Sequence, residues 1–233
     1  METILRALTD AIGLLRDLDP ELLEIVGLTL RVTLGALAIA LVTGIPIGAG
    51  LGLARRLPGR AFIVPVIYTG MGLPPVTVGL FTYLLLSNRG PFGNLGWLFT
   101  PSGMIVAQTI IALPLVVGLT MTSVQGVDPD VRTQMRALGA THRQVALTIL
   151  AEARIGVTAA VVAAYGSIIS EVGAVMLVGG NIESETRVLT TAIVLETRQG
   201  NFALALALGV VLLAIAFLTN FAFHRLQVRQ GGP

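Results

Sequence analysis

The stretch GVDPDVRTQMRALGATHRQVALTILAEAR, residues 126–154, decides how the chain is read. It carries seven charged side chains (Asp128, Asp130, Arg132, Arg136, Arg143, Glu152, Arg154) between long uncharged runs, so it must sit outside the lipid. Asp128 followed by Pro129 is an N-cap with proline in the first helical position, and Asp130 adds negative charge to the first turn, which predicts a helix start. Val131, Met135 and Leu138 fall on one face of that helix, Arg132 and Arg136 on another. Gly139 is the expected left-handed stop. Thr141 with Gln144 forms a capping box that opens a second helix, whose apolar stripe is Val145 and Ile149. The prediction is helix, tight glycine turn, helix.

Around this island the 233-residue chain is oily: 54% hydrophobic, 12% charged, mean hydropathy +0.85. A soluble domain carries about 25% charged residues. The expected fold class is therefore an all-α integral membrane protein, with five transmembrane helices, an N-terminal amphipathic helix and the cytoplasmic hairpin. The absence of cysteine excludes disulfides, thiol chemistry and Cys-ligated metals. All fifteen basic residues are arginine. The pI near 9.7 reflects arginines beside membrane spans; no basic run or basic-aromatic cluster exists, so membrane lipid and not nucleic acid is the expected partner.

Residues 1–24 hold six of the thirteen acidic residues, and only five uncharged residues separate Asp10 from Arg16. That is too short for a span or a signal peptide, and Ile4, Leu8, Ala11, Ile12 and Leu15 at helical spacing predict an amphipathic surface helix. The membrane domain is expected over 25–223, with 224–233 as a cytoplasmic tail. Val32 to Ala54, 23 residues without a charge, is the first span, about 35 Å as a helix. Its Gly44, Gly48 and Gly52 let another helix approach closely.

Ala61 to Asn88 is the second uncharged run. Gly70, Gly72, Pro74 and Pro75 must bend or break it near its middle, either as the wall of a path or as a proline kink that aids packing. Asn88 to Asn94, with Trp97 after it, reads as an external loop. Ser102 to Val124 is the third span and Ile155 to Ile182 the fourth, with Glu171 its one charge. A loop is expected from Glu183 to Gly200, then the fifth span from Asn201 to Phe223. Nine of the fifteen arginines (55, 56, 60, 132, 136, 143, 154, 225 and 229) fall on one side in this topology. The positive-inside rule makes that side cytoplasmic, with the N-terminus outside and the C-terminus in the cytoplasm.

No HExxH, GxSxG or GxxxxGK[ST] is present, and His142 and His224 are far apart in sequence, so neither catalysis nor a metal site is expected. A DNA-reading helix-turn-helix is the competing reading of this pattern, and it is disfavoured because the island joins two spans directly, so neither helix is free to enter a groove. A cytoplasmic hairpin on a membrane protein with no ATP site points to an external motor, with the hairpin as its handle.

The run Arg136-Ala137-Leu138-Gly139-Ala140-Thr141-His142-Arg143-Gln144-Val145, with Ile149 after it, resembles the EAA loop of permease subunits of type I ABC importers. The match is partial: the family's Glu-Ala-Ala falls on Thr133, Gln134 and Met135, and its Leu-Pro on Ala151 and Glu152. The resemblance implies that Arg136, Leu138, Gly139, Ala140, Thr141 and His142 couple to a cytoplasmic ATPase. Glu171-Val172-Gly173-Ala174, Val178-Gly179-Gly180-Asn181-Ile182 and Leu189-Thr190-Thr191-Ala192-Ile193, with Gly72-Leu73-Pro74-Pro75-Val76, resemble the oxyanion permeases, closest to the tungstate type. Molybdate and sulfate permeases carry a related pattern.

This resemblance implies an ATP-driven importer subunit that forms its path as a homodimer, with a pair of ABC ATPases and an extracytoplasmic substrate-binding protein as partners. ATP and magnesium then belong to the ATPase subunit, and this chain holds no cofactor. The expected path residues are Gly72, Pro74, Pro75, Thr77, Ser167, Glu171 and Met176. Glu171 lies about 22 Å along span four, where an ionisable group is a functional candidate. A carboxylate repels an oxyanion, so a structural pairing with backbone or with hydroxyls such as Ser167 or Ser170 is favoured over gating. The alternative from another class is a stand-alone channel or secondary transporter, which calls for internal repeats or paired intramembrane charges. Glu171 is the one such charge here.

Overall fold

The computed structural model describes residues 20–54 and 58–230, together with residues 9, 12, 13 and 16. It is all-helical among these residues. The helices are α1 (Pro20–Leu53), α2 (Arg60–Met71), α3 (Pro75–Leu86), α4 (Pro101–Gln125), α5 (Pro129–Ala137) and α6 (His142–Glu152). They continue with α7 (Arg154–Ile169), α8 (Gly173–Gly179), α9 (Leu189–Gln199) and α10 (Phe202–Gln230), and a 3₁₀ turn covers Gly93–Leu95.

Helices α1, α4 and residues 202–223 of α10 are each long and apolar enough to cross a membrane. Helices α2 and α3 form a pair bent by 100°, and α6 and α7 a pair bent by 62°. The first helix begins twelve residues before the expected Val32, because Glu21 and Glu24 do not stop it. They emerge beyond the apolar run, where Glu21 pairs with Arg187 at 3.3 Å and Glu24 accepts from Ser184. Residues 20–24 thus belong to α1; the amphipathic helix expected before them lies largely outside the described residues. The last helix likewise runs on through the expected tail to Gln230.

Helix α4 is the hub, packing along α1 and against α2, α3, α7 and α8. The close approach of α1 and α4 follows from Gly44, Gly48 and Gly52. A Cβ on Gly48 would come 2.5 Å from the Val117 carbonyl, and one on Gly52 would come 2.8 Å from Val124 Cβ. Around this seam the core is built of small and β-branched residues, Ala36, Ala40, Ala107, Val116 and Ala164 among them, with Tyr165 and Ile168 filling it.

The fourth apolar run is not one helix. Helix α7 stops at Ile169, the backbone breaks over 170–172, and α8 resumes at Gly173. The region expected as a loop from Glu183 to Gly200 contains α9. Thr29 Oγ1 accepts the orphan N–H of Leu189 at 2.9 Å, Thr191 Oγ1 accepts that of Val188, and Leu189 and Ala192 bury against Leu22, Ile25 and Leu208. Its polar residues marked it as loop in sequence, yet Glu196 is buried, accepting from the Asn201 side-chain amide at 2.9 Å.

Candidate functional site

Two regions bear on function, and the first is the hairpin α5–α6. Asp128 caps α5 through its carboxylate, which accepts the Asp130 N–H at 2.8 Å. At the far end Gly139 takes φ +80°, its N–H donates to the Arg136 carbonyl and that of Ala140 to Met135, each at 3.0 Å. This is the Schellman pattern, which closes the helix without a Cβ penalty. The capping box then opens α6: Gln144 Oε1 accepts the Thr141 N–H at 2.8 Å and Thr141 Oγ1 accepts the Gln144 N–H at 3.4 Å.

Val145 and Ile149 are 5% and 3% exposed and seat α6 on Ala49 and Val124, near the ends of α1 and α4, with Ala153 at its own end completing the cluster. The hairpin is therefore fixed to the membrane helices by its second arm. Leu138, expected on the apolar face with Val131 and Met135, is instead the C-cap residue at the tip and 83% exposed. Arg136, Gly139, Thr141 and His142 are exposed beside it and Ala140 is half-buried. All six residues singled out for the handle thus share one turn.

The second region is formed by the two broken helices. Helix α2 ends at Gly72, Pro74 is the N-cap of α3 and Pro75 its first residue, with Thr77 exposed on the first turn. Helix α3 lies on α8: a Cβ on Gly173 would come 2.6 Å from Val76 Cγ2, and one on Gly79 would come 2.6 Å from Ala174 Cα. The break near Pro74 and the break near Glu171 are therefore neighbours in space, although about a hundred positions separate them. Met176 lies on α8 and Ser167 on the last turns of α7, each half-buried.

Three backbone groups at the second break have side-chain partners. Glu171 is 9% exposed, and its Oε1 accepts the Ala174 N–H at 3.0 Å. Thr190 Oγ1 donates to the Glu171 carbonyl at 2.9 Å, and Gln108 Nε2 donates to the Ile168 carbonyl at 3.0 Å. Glu171 thus pairs with backbone, whereas the Ser170 hydroxyl turns back to the Gly166 carbonyl of its own helix. Non-helical backbone at membrane depth requires such partners. Gln108 was missed in the sequence, where its signal was legible: it is the one amide side chain within the apolar run 101–124. Among the described residues no three His, Asp or Glu side chains converge as metal ligands.

Residues 44–231 match the family model described as the binding-protein-dependent transport system inner membrane component. A probable anion ABC transporter permease protein of Haloferax volcanii is 44% identical over 91% of this chain and 93% of its own length. The tungstate uptake system permease protein TupB of Peptoclostridium acidaminophilum is 39% identical over 97% of this chain and 99% of its own. Among solved structures, a chain of the MetNI methionine ABC transporter in inward-facing conformations matches with a TM-score of 0.73 at 17% identity, covering 91% of this chain and 96% of that one. The chain belongs to the family of binding-protein-dependent transport inner membrane components. It is an ABC transporter permease subunit, and the stand-alone channel reading is set aside.

Proposed function

We propose that this permease subunit imports an oxyanion of the tungstate class, as a homodimer powered by two cytoplasmic ATPases and supplied by an extracytoplasmic binding protein. The observation that carries the coupling half of the reading is the hairpin. A rigid, doubly capped turn holds a bare Leu138 at its tip while Val145 and Ile149 anchor the other arm to α1 and α4. An exposed leucine at the end of a stiff lever is suited to enter a groove on a partner and to pass its movement into the spans.

The topology we assign has five spans, counting each broken helix as one, with the N-terminus outside and the hairpin and C-terminus in the cytoplasm. Two copies face each other across the paired breaks, so that Gly72, Pro74, Pro75, Thr77, Ser167, Glu171 and Met176 border the path. ATP binding with magnesium in the partner subunits draws the two Leu138 to His142 turns together and rocks the helices outward; hydrolysis resets them. Neither apolar run that forms the breaks carries an arginine, which suits a conduit that holds its anion weakly and leaves recognition to the binding protein. The tungstate assignment rests on the likeness to the tungstate permease and on the Glu171-Val172-Gly173-Ala174 and Leu189 to Ile193 sequences.

The test is ATPase activity of this chain reconstituted in lipid with its candidate ATPase and binding protein, with tungstate, molybdate and sulfate added separately. Stimulation by tungstate alone, lost when the Leu138 to His142 turn is deleted, is the expected result. Stimulation by another anion overturns the substrate; undiminished coupling in Gly139→Pro overturns the handle.

A further inference from the structure

We infer that Gln108 is a positioning residue that joins the two broken helices, a role that rests on the reading of the two breaks as the border of the path. Its amide N–H holds the break after α7, and its amide oxygen shares one buried water with the Thr82 hydroxyl of α3. Gln108 lies on the hub helix α4 and is 3% exposed. Its Nε2 donates to the Ile168 carbonyl at 3.0 Å, at the end of α7. The same carbonyl accepts the Glu171 N–H at 3.3 Å, where the backbone turns out of the helix, so the amide sits on the break itself. Gln108 Oε1 is buried and has no partner among the described residues. An amide oxygen left bare in a core is costly, and a bridging group relieves that cost.

Thr82 is its complement. It is 1% exposed, and its Oγ1 is likewise buried without a partner among the described residues. Other threonines in these helices turn the hydroxyl back to the carbonyl four residues earlier: Thr29 to Ile25 at 2.7 Å, Thr109 to Ile105 at 2.7 Å and Thr122 to Gly118 at 2.9 Å. Thr82 makes no such bond, so its hydroxyl is directed out of its own helix. Packing puts Gln108 opposite. A Cβ on Gly103, at the start of α4, would come 3.3 Å from Leu86 Cδ1 at the end of α3 and 3.1 Å from Val178 Cγ1 of α8. From that corner α3 and α4 run side by side in opposite directions, and Val78, Leu86, Ala107 and Ile111 share one core cluster. Thr82 lies between Val78 and Leu86 on this buried face, at the level of Ala107 and therefore beside Gln108. The remaining buried polar atoms without partners lie elsewhere. Thr120 is twelve residues on along α4, about 18 Å away, against Gly48, and Asn181 and Arg187 are in the loop after α8.

One water between the two atoms satisfies both, donating to the amide oxygen and accepting from the hydroxyl. The result is a chain of hydrogen bonds from α7 through α4 to α3. The hairpin continues from α6 into α7, so movement at its tip arrives at Ile168. Gln108 and Thr82 carry it on to α3, whose first residue, Pro75, stands at the other break. Such a chain is a coupling route only where its members are energetically coupled, which is a measurable property.

The test has two arms. In the first, thermal unfolding of the purified chain in detergent is measured for Thr82→Val, Gln108→Met and the double variant. Thr82→Val is expected to lower the unfolding temperature by about 2–4 °C in the parent and to leave it unchanged in Gln108→Met, where the partner is already gone. Additive shifts overturn the shared water. In the second arm the chain is reconstituted in lipid with its ATPase and binding protein, and anion taken up per ATP hydrolysed is measured with whichever of tungstate, molybdate and sulfate the parent takes up. The ratio is expected to fall about 2- to 30-fold in Thr82→Val. Thr82→Ser, which restores the hydroxyl, returns it to that of the parent. A ratio unchanged in Thr82→Val, or equally reduced in Thr82→Ser, overturns the positioning role. If Gln108→Met does not fold, the comparison of Thr82→Val with Thr82→Ser decides alone. The first arm needs no transport, and neither arm alters the Leu138 to His142 turn, so failure here leaves the reading of the hairpin standing.

Discussion

The Glu171 carboxylate accepts the backbone N–H of Ala174 at 3.0 Å, so the one acidic side chain of the fourth apolar run caps the helix that resumes after the break. Such a cap needs an acceptor oxygen and not a charge. Glu171→Gln is therefore expected to keep the unfolding temperature of the parent in detergent, whereas Glu171→Ala loses about 1–3 kcal/mol by orphaning a buried N–H. Thermal unfolding of both variants checks this. Transport that collapses in Glu171→Gln while stability is kept would assign the charge to gating.

Gly139 sets the direction of the hairpin through its φ of +80°, with open space around its missing Cβ. The cost of a side chain there is conformational and not steric. Gly139→Val should destabilise the turn by about 1–2 kcal/mol, and Gly139→Asn, a residue that tolerates this conformation, should cost less. The readout is the ratio of transport to ATP hydrolysed in the reconstituted complex, expected in the order parent, Asn, Val.

Leu138 is exposed at the tip, so its role in the isolated chain and in a complex separate cleanly. Leu138→Asp should leave thermal stability within about 0.5 kcal/mol. The affinity for the ATPase should fall about 10- to 100-fold, the loss expected on withdrawing a leucine side chain from a groove. Titration of the ATPase against the purified chain, with an unfolding curve beside it, measures both.

Gly48 and Gly50 differ by two positions and face different surroundings. A Cβ on Gly48 meets α4 at 2.5 Å, while one on Gly50 meets nothing within 4 Å. Gly48→Ala should destabilise by about 1–3 kcal/mol through overpacking. Gly50→Ala should be neutral or slightly stabilising, because alanine restricts the unfolded chain. Equal effects of the two substitutions on thermal unfolding would contradict the packing of α1 on α4.

What the sequence by itself determined is what depends on near neighbours along the chain. The uncharged runs mark the membrane helices because burying charge in hydrocarbon is costly. The hairpin was legible to its hydrogen bonds, since Asp128, Gly139, Thr141 and Gln144 act on backbone groups two or three residues away. Helical periodicity likewise put Gly44, Gly48 and Gly52 on one face.

Only the tertiary structure decided which of these features meet. It set the 100° bend between α2 and α3 and laid α3 on α8, so that Val76 abuts Gly173. It brought the Gln108 side-chain amide to the Ile168 carbonyl and the Thr190 hydroxyl to that of Glu171. It turned the expected loop after Arg187 into α9, because the packing of Leu189 and Ala192 on α1 and α10 outweighs a polar composition. These pairings join residues from about 20 to about 160 positions apart. Their free energy arises only when the helices are already packed, and no spacing within a single run of sequence encodes it.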